Sequence, residues 1–122
     1  MQAYLLVGVG GALGAMARYG ASSLFPPTFP WATLAINIAG SFLMGVLAAA
    51  LAKFLPGWQA EARLFVGVGI LGGFTTFSAF SLDAVALFER GAIWQAALYV
   101  AASVILAILG LVAGLSLVRA LA

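Results

Sequence analysis

Four apolar segments, each long enough to cross a lipid bilayer, constrain the fold of this 122-residue chain more than any other feature. A helix rises about 1.5 Å per residue, so roughly 20 apolar residues span the ~30 Å hydrocarbon core. Hydrophobic residues make up 66% of the chain and charged residues 7%, which excludes a soluble or a disordered domain. The sequence therefore predicts an all-α integral membrane protein, one domain over residues 1–122, with four transmembrane helices. These helices lie roughly at residues 3–25, 31–52, 64–88 and 93–118.

Short connections separate the four segments. Residues 26–30, 53–63 and 89–91 carry the prolines, glycines and charges expected where a chain reverses direction. Tryptophans fall at three segment ends, where an indole prefers the interface between membrane and water: Trp31, Trp58 and Trp94. These connections are too short to hold a domain outside the membrane.

The distribution of positive charge gives almost no orientation signal. With four spans, Lys53, Arg63 and Arg119 lie on one side of the membrane, and Arg18 and Arg90 lie on the other. Such a near balance permits insertion in both orientations, which would allow an antiparallel dual-topology homodimer. The alternative, a modest bias that fixes one orientation, stays open.

The chain offers little for catalysis. It has no cysteine and no histidine, so thiol chemistry, disulfides and the usual proton shuttle at neutral pH are excluded. Its acidic residues are Glu61, Asp83 and Glu89, and no two of them share a face; we expect Asp83 to be a partly hydrated charge near a helix end. No basic cluster favours nucleic acid. We expect neither an enzyme nor a nucleic-acid-binding protein.

The third segment contains a run that disfavours an unbroken helix, Gly72-Gly73-Phe74-Thr75-Thr76-Phe77-Ser78-Ala79-Phe80-Ser81. Adjacent glycines and threonines weaken a helix. Backbone carbonyls released in hydrocarbon must be buried in protein or must face an ion or water. The run therefore predicts a broken third helix at membrane depth, which favours a pore or an ion site.

The second segment carries a polar stripe. Thr33, Asn37 and Ser41 are four residues apart and so share one helix face. A single asparagine could simply join two helices by hydrogen bonding, worth about 1 kcal/mol. The stripe favours a polar path over one adhesive contact.

Aromatic rings and hydroxyls line the last two segments. Phe74, Phe77 and Phe80 are three residues apart with serine and threonine between them, and the fourth segment adds Tyr99 and Ser103. The edge of a phenyl ring carries partial positive charge. With hydroxyl donors and ring edges but no acid in mid-membrane, the segments favour a dehydrated anion over a cation or a proton.

Glycine pairs and one arginine have two interpretations each. Gly10 with Gly14, and Gly110 with Gly114, have the spacing that lets helix backbones approach, either within the chain or at a dimer face. Arg18, deep in the first segment, either extends its guanidinium to the surface or lies in a vestibule and attracts anions.

Three motifs carry a family resemblance: the run at residues 72–78, Gly40-Ser41-Phe42 after Asn37, and Arg18-Tyr19. Over its whole length the chain resembles the Fluc (CrcB-type) fluoride channel family. The resemblance implies an antiparallel dual-topology homodimer with two fluoride pores. It also implies a sodium ion at the dimer centre, held by the backbone carbonyls of Gly72 and Thr75 from both subunits.

The same resemblance assigns the pore. It places Arg18 in the vestibule, leaves Phe74 for packing, and gives the pore lining as Thr33, Asn37, Phe77, Ser78, Phe80, Tyr99 and Ser103. Ala79 and Ala107 depart from the pattern, since relatives often carry hydroxyls there; the departure puts the continuity of the polar track in doubt.

The implied function is passive export of cytoplasmic fluoride, which gives fluoride resistance. The implied location is the plasma membrane of a prokaryote, the inner membrane if Gram-negative, with fluoride, lipid and a second copy of the chain as partners. Two alternatives remain: a small dual-topology multidrug exporter, which depends on a mid-membrane acid that these segments lack, and an assembly subunit that transports nothing.

Overall fold

The computed structural model describes residues 1–54 and 56–122, and within them it contains helices, turns and no strand. In chain order the helical segments are α1 (Gln2–Ser22), α2 (Trp31–Lys53), α3 (Gln59–Ala62), the π-helix π1 (Arg63–Leu71), α4 (Gly72–Phe74), α5 (Phe77–Glu89) and α6 (Ile93–Leu121). The predicted all-helical architecture is confirmed. Leu55, within the predicted second connection, lies outside the described residues.

Three helical stretches of the described chain are long and apolar enough to cross a membrane. They are Trp31–Lys53, Gln59–Glu89 and Ile93–Leu121, and the second of them comprises α3, π1, α4 and α5. We call residues 59–89 the third span, because they correspond to the third of the four segments predicted from the sequence. The 21-residue α1 is not one of these three, because its five glycines and Arg18 make it less apolar.

Glycines of α1 allow its backbone to touch the third span. A Cβ atom added at Gly10 would overlap the Phe65 carbonyl oxygen, and one added at Gly14 would overlap the Ile70 carbonyl. Only a residue without a side chain permits this approach. The helix α1 is therefore fixed against π1 and α4 through main-chain contact.

The second glycine pair works in the same way between α2 and α6. A Cβ added at Gly114 would overlap the Phe42 carbonyl oxygen, and one added at Gly110 would lie 3.3 Å from the Ile38 carbonyl oxygen. Both glycine spacings are therefore used for packing inside one chain rather than for a dimer face.

The α5 and α6 helices enclose the main buried cluster. Leu87 and Tyr99 are 1% and 0% exposed, and Phe80 and Ala96 complete the cluster. This packing fixes the second half of the third span against α6. The first half is fixed against α1, so the residues between the halves are anchored from both sides.

Replacing Gly14 by alanine tests the main-chain contact. We expect Gly14→Ala to lower the free energy of unfolding by about 1–3 kcal/mol, since the new methyl group has no room beside Ile70.

Gly8→Ala is the matched control on the same helix, because no atom lies within 4 Å of a Cβ there. It should be neutral or slightly stabilising, since alanine favours a helix by about 1 kcal/mol over glycine. Thermal unfolding in detergent measures both; equal midpoints for the two variants would contradict the packing.

Candidate functional site

The helical backbone is interrupted at two residues of the third span. Thr75 (φ −82°, ψ 158°) and Thr76 (φ −155°, ψ 118°) are both extended, between the end of α4 at Phe74 and the start of α5 at Phe77. Thr76 caps α5, since its Oγ1 accepts a hydrogen bond of 3.1 Å from the Ala79 amide. We call Thr75 and Thr76 the extended pair.

Asn37 of α2 holds the extended pair by two reciprocal hydrogen bonds. Its Nδ2 donates to the Thr76 carbonyl oxygen at 3.0 Å, and the Thr76 amide donates to Asn37 Oδ1 at 2.9 Å. In an unbroken α-helix the Thr76 amide would instead donate to the carbonyl of Gly72. The asparagine side chain therefore replaces a helical hydrogen bond. It also joins two helices by hydrogen bonding, which is one of the two roles that the sequence left open for it.

Two further contacts hold the residues just before the extended pair. Arg18 of α1 donates from Nε to the Gly73 carbonyl oxygen at 3.0 Å, and its side chain is half-buried. The Thr75 hydroxyl donates to the Leu71 carbonyl oxygen at 2.9 Å. Main-chain groups near the break are thus bonded by side chains from α1, from α2 and from the third span itself.

A groove of about 280 Å³ opens beside the extended pair. Its lining comes from α2, the third span and α6 and consists of Asn37, Thr75, Thr76, Phe77, Phe80, Ser103, Val104, Ala107 and Ile108. Ser103 is 7% exposed, and its Oγ has no hydrogen-bond partner in the described part of the chain. A buried hydroxyl without a partner destabilises a fold, so a ligand that accepts its hydrogen would be bound favourably.

The two phenylalanines of the groove differ in exposure. Phe80 is 8% exposed and packs on Tyr99 with ring centroids 5.3 Å apart, whereas Phe77 is 78% exposed. The ring centroids of Phe77 and Phe80 are 5.4 Å apart. Phe80 therefore forms a buried wall of the groove, and Phe77 lines the groove with a ring that is mostly exposed.

Tyr99 and Thr33 lie beyond the groove. The Tyr99 hydroxyl is directed to α5, where it donates to Asp83 Oδ2 at 3.2 Å. Thr33 and Asp83 both line a second cavity of about 390 Å³, formed with the turn after α1. The structure thus places Asn37, Phe77, Phe80 and Ser103 together in the groove. Thr33 lies in the second cavity instead, and Tyr99 lies between the two spaces, with its ring on Phe80 and its hydroxyl on Asp83.

The remaining predicted site residues lie at or beside the extended pair. Ser78 is exposed, with its Oγ 3.3 Å from Thr76 Oγ1. Gly72 is exposed and Thr75 half-buried. Sequence reasoning missed the roles of Thr76 as a helix cap and of Asp83 as the partner of Tyr99. A threonine three residues before Ala79 is a recognisable cap signal, but no local pattern pairs Asp83 with Tyr99.

The profile of the CrcB-like protein family, Camphor Resistance (CrcB), matches residues 5–115. The chain belongs to this family.

Bacterial relatives match this CrcB-family chain over nearly its whole length. The fluoride-specific ion channel FluC of Rhodospirillum centenum is 53% identical, with 98% of this chain and 97% of the relative aligned. Proteins of the same name from Agrobacterium fabrum and Mesorhizobium japonicum are 52% and 55% identical, over 93% and 96% of this chain and 94% and 96% of their own lengths. With its apolar helices and bacterial relatives, the chain is a multi-pass protein of a prokaryotic plasma membrane.

Replacing Asn37 tests its hold on the extended pair. Asn37→Ala leaves both the amide and the carbonyl of Thr76 without these partners, and each such group costs about 1–3 kcal/mol when buried. We expect a clearly lower midpoint of thermal unfolding in detergent. Ser41→Ala, one turn further along α2, is the matched control, because no hydrogen bond of the Ser41 side chain is found within the described residues. A midpoint for Asn37→Ala equal to that of the control would show that Asn37 does not hold Thr76.

Proposed function

We propose that this protein is a fluoride-selective ion channel through which cytoplasmic fluoride leaves by passive electrodiffusion. The observation that carries the proposal is the buried Ser103 hydroxyl, which has no partner in the described chain and lines a groove shared with Asn37 and the Phe80 ring. The names of relatives about half identical to the chain support the same ion. Those relatives are named as channels and not as enzymes.

Dehydration of fluoride is the physical task of the groove. The Ser103 hydroxyl and the second hydrogen of Asn37 Nδ2 donate to the ion, and the edges of Phe80 and Phe77 face it with partial positive charge. Thr33, Ser78 and Tyr99 extend this polar lining toward the two ends of the path. Ala107 offers only a methyl group there, so Ser103 is the main hydroxyl donor of α6 in the groove.

The channel is proposed to be an antiparallel dual-topology homodimer with four spans per chain, α1 being the additional one. Three features support it: the near balance of positive charges, the exposure of Phe77 at 78%, and the exposure of Gly72 beside the extended pair. In hydrocarbon a partner chain is the natural cover for irregular backbone. Each exposed Phe77 ring then contacts the partner chain beside its own groove, and the two grooves give two pores per dimer.

A sodium ion at the dimer centre fits the atoms around the extended pair. Because the Thr76 amide is bonded to Asn37, the Gly72 carbonyl oxygen loses its helical donor, and the extended Thr75 carbonyl leaves the helical pattern. Carbonyl oxygens are the ligands that hard cations prefer. The carbonyls of Gly72 and Thr75 from both subunits would hold the ion. When bound, it supplies positive charge that stabilises these oxygens and joins the subunits.

Fluoride resistance follows from the chemistry of the ion. Hydrogen fluoride enters as a neutral weak acid, dissociates in the less acidic cytoplasm and leaves fluoride trapped inside. A membrane potential that is negative inside then drives the anion outward through the channel, since one charge across 100 mV is worth about 2.3 kcal/mol. No coupling ion is needed.

Efflux from liposomes tests the function. Liposomes containing the purified protein would be loaded with potassium fluoride or potassium chloride, with sodium present and valinomycin added to balance charge. We expect rapid loss of fluoride and retention of chloride, with protein-free liposomes as the control. Absence of fluoride efflux from folded protein would contradict the channel and favour the assembly subunit. Efflux that requires a proton gradient would favour an exporter.

Replacing Ser103 by alanine separates function from stability. Because its hydroxyl is buried without a partner, Ser103→Ala removes a polar group that destabilises the fold by about 1–3 kcal/mol. We expect unchanged or higher thermal stability together with slower fluoride efflux. Ser81→Ala is the control, since the Ser81 hydroxyl donates to the Phe77 carbonyl oxygen. Normal efflux through Ser103→Ala would exclude Ser103 from the path.

A further inference from the structure

We infer that Arg18 is a positioning residue whose hydrogen bond to Gly73, rather than its charge, is what the channel requires. The inference rests on the proposed function for its flux readout and stands on geometry otherwise. It assigns to Arg18 a task different from attraction of anions in a vestibule.

The carbonyl that Arg18 contacts belongs to a helix end. Gly73 lies in α4, which ends at Phe74, and the extended pair follows. The last carbonyls of a helix have no intrahelical donor. In hydrocarbon an unpaired carbonyl costs several kcal/mol, so it needs a donor from elsewhere. Arg18 Nε, at 3.0 Å from the Gly73 oxygen, is that donor.

The same face of α1 lies against Gly73 over two helical turns. A Cβ added at Gly73 would lie 2.5 Å from the Gly11 carbonyl oxygen and 3.1 Å from the Ala15 amide nitrogen. Gly11, Ala15 and Arg18 are spaced four and three residues apart, so they share one face of the helix. Arg18 thus lies at the end of the α1 surface that contacts Gly73, three residues after Ala15.

Arg18 and Asn37 together hold the break from its two sides. Arg18 bonds Gly73 before the extended pair, and Asn37 bonds Thr76 at its end. The two side chains come from α1, which packs chiefly on π1 and α4, and from α2, which packs chiefly on α6. With both bonds in place, Thr75 and Thr76 keep the orientation that lines the groove. Loss of the bond from Arg18 would release α4 and displace Thr75.

Substitutions at position 18 separate the hydrogen bond from the charge. Arg18→Gln places an amide nitrogen the same number of bonds from the backbone as Nε, so it keeps a donor and removes the charge. Arg18→Lys keeps the charge but puts a methylene group where Nε was. Arg18→Ala removes both. Arg119→Gln, at the exposed end of α6, controls for loss of one charge elsewhere.

Fluoride efflux and thermal unfolding would be measured for all four variants. We expect efflux for Arg18→Gln within about twofold of the unsubstituted protein and efflux for Arg18→Ala slower by about tenfold, with Arg18→Lys no faster than Arg18→Gln. Unfolding midpoints should follow the same order. Arg18→Lys exceeding Arg18→Gln, or Arg18→Ala matching the unsubstituted protein, would overturn the inference. If the unsubstituted protein shows no efflux, the proposed function fails, and the unfolding midpoints alone decide whether Arg18 holds Gly73.

Discussion

Main-chain hydrogen bonding inside the membrane is the constraint on which the rest of this structure depends. A helix satisfies its own amides and carbonyls, but this bonding stops after the Thr75 amide, which still donates to the Leu71 carbonyl oxygen, whereas the Thr76 amide donates to Asn37. Three polar side chains near the pair accordingly bond to the main chain: Arg18 to Gly73, Asn37 to the amide and the carbonyl of Thr76, and Thr75 to Leu71. The interruption of the helix is held by side chains of three segments.

The glycines make these bonds possible because they set the distances between helices. Gly14 brings α1 against π1 and α4, so that Arg18 reaches Gly73. Gly40 of α2 leaves room for the Thr75 side chain, which would overlap any Cβ there. Close backbone contact, rather than a large apolar core, therefore positions the break. The groove between α2, the third span and α6 is the space left by this arrangement.

The all-helical architecture follows from the sequence, because a backbone bonds itself within a bilayer only as a helix or a closed barrel, and apolar runs of about 20 residues have the length of a helix. The composition of residues 72–76 explains why helical bonding stops there. The hydrogen-bond partners cannot be predicted from the sequence in the same way. Which carbonyl Arg18 bonds, and whether Tyr99 bonds Asp83, depends on how the helices pack. The π-helical bonding of Arg63–Leu71 has no distinct sequence period either.

A recording of current across a planar bilayer containing the purified protein tests the central claim most directly. With a tenfold fluoride gradient and equal chloride on both sides, we expect the reversal potential of a passive fluoride-selective pore to be displaced from zero by about 59 mV, to the equilibrium potential of fluoride. Exchange of the gradient from fluoride to chloride should return the reversal potential to zero. A chloride gradient that displaces the potential equally, or a folded protein that carries no current, would contradict the account.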